Sequence, residues 1–165
     1  MTESSANPSV EHILVPVDGS PQSESAVEYV TGIFPTADVT LLTVIDPVSG
    51  FAAYDGTTEG SWKTQAQQAA ESLLAEKRSM LQAETDESSN DDADIDTDTE
   101  SISQTIETVV EFGEPVESIQ EAADTHDVDQ IVIGSHGRAG LQRIIVGSVA
   151  ENVMRGVSIP VTIVR

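Results

Sequence analysis

Three consecutive β-branched residues, Ile131-Val132-Ile133, run straight into Gly134. A strand with one wet face alternates apolar and polar side chains, whereas one that is apolar at every position must be covered on both faces. That requirement selects a parallel sheet with helices on either side, because parallel strands need crossover connections and the crossovers supply the helices. The residues after Gly134 narrow the choice further. Ser135 to Gly140 is rich in small and polar residues, and a helical pattern begins at Gly147-Ser148. This order puts a helix N-terminus, with its unbonded N–H groups and positive dipole end, beyond the end of a buried strand. An anion is favoured there. Ser148 reads as the N-cap, since Ser148-x-x-Glu151 has the form of a capping box. Gly134 and Gly137 read as positions where backbone approaches a ligand or takes a positive φ.

Strand and helix signals alternate through the rest of the chain. His12–Asp18 is the first strand, an apolar run ending in a carboxylate. Gly19-Ser20-Pro21 then supplies a turn, an N-cap and a proline at the first helical position. Ala26, Val27, Val30, Ile33 and Phe34 keep helical spacing over roughly 21–34, up to Pro35. Val39–Ile45 is a second strand, apolar on both faces and therefore central. Pro47–Gly60 reads as a loop, after which Ser61 can cap a long helix. The stripe of that helix, Trp62, Ala66, Ala70, Leu73 and Leu81 among others, is core rather than a cofactor box. The third strand is Ile102–Phe112, and Pro115 opens a helix with Val116, Ile119, Ala122 and Ala123 on one face. Val128–Ile133, Ser148–Arg155 and Ile159–Val164 are the fourth strand, last helix and final strand, and Pro160 suits an edge position.

The expected class is therefore α/β: an open parallel sheet of five strands in the order 3-2-1-4-5, sandwiched by helices, Rossmann-like. Ligands of such sheets bind beyond the carboxyl ends of the strands, where the order reverses. Asp18, Val44 and Gly134 lie at those ends.

The formal charge of −22, from 29 acidic and 7 basic residues, disfavours nucleic acid and anionic membranes as partners. No apolar run approaches the roughly 20 residues of a membrane span. The N-terminus lacks the basic and apolar regions of a signal peptide, so a cytoplasmic protein is expected. With no cysteine there is no disulfide framework. The acids are spread along the chain and lysine occurs only at 63 and 77, a halophile-type composition suited to a salty interior. Glu84–Glu100 holds nine acids and no base. It lacks the glycine and the spaced final Glu of a calcium loop, so it reads as a solvated insertion. The expected organisation is a disordered tail over 1–10 and a single domain over 11–165, with 84–100 as an acidic insertion loop.

The spacing Gly134-x2-Gly137-x9-Gly147-Ser148 resembles the ATP-binding signature of the universal stress protein family, Gly-x2-Gly-x9-Gly-Ser/Thr. No Gly-Lys-Ser/Thr follows the glycines, so it is not a Walker A loop, and it lies too near the C-terminus for a Rossmann fingerprint. The resemblance covers roughly 10–165, with the acidic insertion as its one departure. It implies that Pro16, Val17 and Asp18 line a nucleotide pocket, with Asp18 accepting from ribose hydroxyls or holding a water on magnesium. It puts Val44 at the adenine. Ile133, Gly134, Gly137 and Arg138, with Gly147, Ser148 and Val149, would surround ribose and phosphates. Arg138 and Arg143, two of the seven basic residues, fall in this loop region, which fits an anionic ligand. No catalytic residue is assigned; His136 has only Asp18 as a candidate partner. The resemblance thus implies a regulatory stress-response protein that binds ATP, or AMP, with Mg2+ on the phosphates. A homodimer through the edge at 159–164 would hide an unpaired strand. The rival readings are a slow ATPase or phosphotransferase, and an interaction module without nucleotide, against which the intact glycine signature speaks.

Overall fold

The computed structural model describes residues 9–52, 59–87, 104–135 and 146–165. Its sheet consists of β1 (His12–Pro16), β2 (Asp38–Ile45), β3 (Ile106–Phe112), β4 (Gln130–Gly134) and β5 (Val161–Val164). The order is β3-β2-β1-β4-β5 and every neighbouring pair is parallel, as expected. The helices are α1 (Pro21–Ile33), α2 (Pro47–Ala52), α3 (Glu59–Glu87), α4 (Pro115–Thr125) and α5 (Ser148–Gly156).

The unbroken apolar runs are explained by two cores, one on each side of the sheet. Ile13 and Val15 of β1 join Val27 and Val30 of α1 and Leu74 and Leu81 of α3. Leu14, between them in sequence, joins Ile119 of α4 and Val153 of α5 on the opposite face. Side chains alternate across a strand, so a strand covered on both faces is apolar at successive positions. Each such side chain, fully buried, contributes about 1.5–3 kcal/mol.

The β1–α1 turn forms as its sequence requires. Gly19 takes a φ of 76°, open to glycine at no steric cost. Ser20 caps α1 by accepting from the Ser23 N–H at 3.2 Å, and Pro21 occupies the first turn. The strand ladder itself ends at Pro16, two residues short of Asp18, although the Val17 N–H still donates to the Leu42 carbonyl at 2.8 Å.

Other boundaries differ from expectation for identifiable reasons. Within the expected loop Pro47–Gly60, residues 47–52 form α2. The Asp46 carboxylate accepts from the Val48 N–H at 2.9 Å, the Ser49 N–H at 3.3 Å and the Ser49 hydroxyl at 2.6 Å. The Ser49 hydroxyl, then the Val48 N–H, hold its pKa below the ordinary carboxylate value. A helix of six residues is too short for apolar periodicity to reveal it. Helix α3 is already helical at Glu59, ahead of Ser61, so Ser61 does not begin it. It also continues through Glu84–Glu87, the first residues of the expected insertion; 88–100 lie outside the described residues. β3 starts at Ile106 rather than Ile102, which is also outside them. Just before β3, Thr105 N–H donates to Asp38 Oδ1 at 2.7 Å and Gln104 Nε2 to the Ala37 carbonyl at 2.8 Å. β5 starts at Val161, after Pro160, whose carbonyl accepts from the Ile131 N–H. Of the expected tail, 1–8 lie outside the described residues, and Val10 packs against the α1/α3 core. Among the described residues, no helix is long and apolar enough to cross a membrane.

Candidate functional site

The chain leaves β1 for β2 on one side and later returns to β4 on the other, so neighbouring crossovers diverge at the carboxyl ends of β1 and β4. A cavity of about 160 Å³ opens there. β1 and its end contribute Pro16, Val17 and Asp18, β2 contributes Leu42 and Val44, and β4 contributes Ile133 and Gly134. Pro115 and Ile119 of α4 and Val149 of α5 form another wall, and Ser20 and Ser23 enter from the start of α1.

The positions follow from register. Pro16 is the last β1 residue paired with β2, opposite Leu42, whereas β2 runs on to Ile45. Val44 therefore extends past the β1 ladder, two residues along and on the same face as Leu42. Both pack with the α4/α5 core, which explains why that wall is apolar.

The polar part is a closed hydrogen-bonded ring. Asp18 Oδ1 accepts from the Ser20 N–H at 3.0 Å and from the Ser20 hydroxyl at 2.6 Å. The Ser23 hydroxyl donates to the Ser20 carbonyl at 2.9 Å, and the Asp18 N–H donates to Ser23 Oγ at 3.4 Å. Ser20 and Ser23 are buried and Asp18 is half-buried. Sequence reasoning found Asp18 but missed Ser20 and Ser23 as wall residues, because capping already accounted for Ser20. Leu42 and Ile119 were missed as well; their signal was the two-residue spacing from Val44 and the apolar face of α4.

Gly134 lines the cavity, and its missing side chain also makes room for α1. A Cβ there would lie 2.6 Å from the Gln22 carbonyl carbon, 2.8 Å from its oxygen and 2.8 Å from the Ser23 nitrogen. Ser148 is not the N-cap of α5. Gly147 is, with no side-chain cap bond, and Ser148 is the first helical residue, exposed. The shift arises because the Gly147 N–H donates to the Ser135 carbonyl, tying the end of β4 to the start of α5, while Glu151 N–H bonds the Gly147 carbonyl at 2.9 Å. Gly147 and Ser148 stand at this junction, beside Val149 of the wall. Gly137 and Arg138 lie outside the described residues, as do His136 and Arg143.

Comparison with known proteins gives a consistent picture. The model of the universal stress protein family matches residues 9–165. The universal stress protein MJ0531 of Methanocaldococcus jannaschii is 32% identical over 155 residues, spanning 93% of this chain and 81% of that one. A universal stress protein in complex with cAMP superimposes with a TM-score of 0.63 at 23% identity, over 94% of this chain and 97% of that one. The universal stress protein from Archaeoglobus fulgidus in complex with dAMP does so with a TM-score of 0.58 at 19% identity, over 94% and 98%.

Proposed function

Because the chain belongs to the universal stress protein family, we propose that it binds an adenine nucleotide, ATP or AMP, at the carboxyl ends of β1, β2 and β4 and acts as a regulatory stress-response protein. The observation that carries this reading is convergence: Pro16–Asp18, Val44, Ile133–Gly134 and Val149, remote in sequence, share one cavity. Leu42, Val44 and Ile119 offer apolar surface to a flat base, and the Val44 backbone can meet its edge. The Asp18 carboxylate is an acceptor suited to ribose hydroxyls. Phosphates would lie toward the N-terminus of α5, where the first helical N–H groups lack intrahelical partners. Mg2+ would arrive on the phosphates, and Asp18 could reach it only through water. The cAMP and dAMP complexes of related proteins support adenine as the base. Calorimetric titration with ATP, AMP and GTP, each with magnesium, tests the proposal. A one-site isotherm for an adenine nucleotide, with GTP weaker, is expected; the absence of binding by both ATP and AMP would overturn it.

Two further expectations accompany this reading. β5 ends the sheet, so its outer edge has no strand neighbour within the described residues, and pairing with a second copy would cover it. Sedimentation should give twice the chain mass; a single-chain mass at micromolar concentration would sink the dimer. The surface acids should repel one another at low salt, since the screening length falls from about 10 Å at about 0.1 M to about 3 Å at about 1 M. The unfolding midpoint should rise steeply with KCl over that range and beyond. A flat profile would contradict a halophilic, cytoplasmic adaptation.

A further inference from the structure

We infer that Ser20 is a positioning residue for Asp18, and that through it the site selects the ribose hydroxyls of its ligand. The inference rests on the nucleotide reading and goes beyond it by naming what sets the sugar preference.

An aspartate carboxylate rotates about a broad, two-fold torsion and is poorly placed when left to itself. Here both donors of one buried residue meet on one oxygen: the Ser20 N–H at 3.0 Å and the Ser20 hydroxyl at 2.6 Å, both to Asp18 Oδ1. Two donors at different angles on Oδ1 fix the carboxylate plane, and with it the place of the other oxygen. The short hydroxyl bond is of the charge-assisted kind, which is stronger than a neutral one. Ser20 is itself held. Its Oγ accepts from the Ser23 N–H at 3.2 Å, and its carbonyl accepts from the Ser23 hydroxyl at 2.9 Å. The ring closes where the Asp18 N–H reaches Ser23 Oγ at 3.4 Å. One hydroxyl thus caps α1 and orients the carboxylate together. A carboxylate pre-set in this way loses little freedom when it accepts from a ligand hydroxyl, so the hydroxyl's contribution to affinity is retained. In a chain of net charge −22, restraint has a second effect: a loose carboxylate could swing toward the phosphates and repel them.

The test is titration of the full chain with ATP and with 2′,3′-dideoxy-ATP, in parent and Ser20→Ala, with a thermal melt of each. The parent should prefer ATP by about tenfold or more, the effect of a hydrogen bond to a charged group. In Ser20→Ala that preference should collapse, with affinity for dideoxy-ATP nearly unchanged. A purely capping role predicts otherwise: a lower melting point and an unaltered preference, which would overturn the inference. Should Ser20→Ala fail to fold, Ser20→Gly gives the same readout, because glycine at an N-cap costs only a few tenths of a kcal/mol. A parent that binds ATP and dideoxy-ATP equally would overturn this inference and leave the nucleotide reading intact. A parent that binds neither overturns both.

Discussion

Gly134→Ala is expected to lower the unfolding midpoint sharply, whereas Gly32→Ala, also adding one methyl group, should raise it. The difference lies in what the new carbon meets. At Gly134 it would stand 2.6 Å from the Gln22 carbonyl carbon and 2.8 Å from both the Gln22 oxygen and the Ser23 nitrogen. These are backbone atoms in the first turn of α1 and cannot rotate aside, so helix and strand must separate. Overpacking of this kind costs about 1–3 kcal/mol. At this chain length that corresponds to roughly 2–4 °C of melting temperature per kcal/mol. At Gly32, near the exposed end of α1, nothing lies within 4 Å, and alanine exceeds glycine in a helix by about 0.5–1 kcal/mol. A displaced Gln22–Ser23 backbone would also carry away the Ser23 N–H that holds Ser20 Oγ. ATP affinity of the folded Gly134→Ala protein should therefore fall as well. Melts that move together for the two variants would show that α1 does not pack this closely on β4.

Much of this was legible in the sequence because several signals coincided. The β1–α1 turn carries a glycine, a cap and a proline in three successive positions, and the alternation of strand and helix signals points to a parallel sheet. Legibility failed where one residue type serves two physical roles. Gly134 fits both close ligand approach and close helix packing, and only the position of Gln22 reveals the second. Ser148-x-x-Glu151 fits a capping box, but the cap of α5 falls one residue earlier because a contact with the end of β4, Gly147 N–H to Ser135 carbonyl, fixes it. No local pattern contains that contact. Ser20 shows the converse: its capping role was readable, and its second bond, to Asp18, was hidden behind the first.

Gly147→Val is expected to abolish binding of ATP while leaving the protein folded, and Ser148→Ala to weaken binding without changing stability. The backbone at Gly147, φ −60° and ψ 152°, is one that any residue adopts, so valine adds no backbone strain there. Its removal as an N-cap costs at most about 1 kcal/mol, since Gly147 makes no side-chain cap bond. What valine does add is bulk at the first turn of α5, where the proposed reading brings phosphates within hydrogen-bond distance of backbone N–H groups. Ser148 sharpens the distinction. As an exposed first helical residue rather than the cap, it can be truncated with a stability change within about 0.5 kcal/mol. Any loss of affinity in Ser148→Ala then reports on its hydroxyl and a phosphate, with about 1.5–3 kcal/mol expected for a hydrogen bond to a charged group. Titration with ATP and magnesium beside a melt of each variant separates these effects. If both variants bind ATP like the parent, the phosphates do not rest on α5, and the nucleotide is oriented some other way in the cavity.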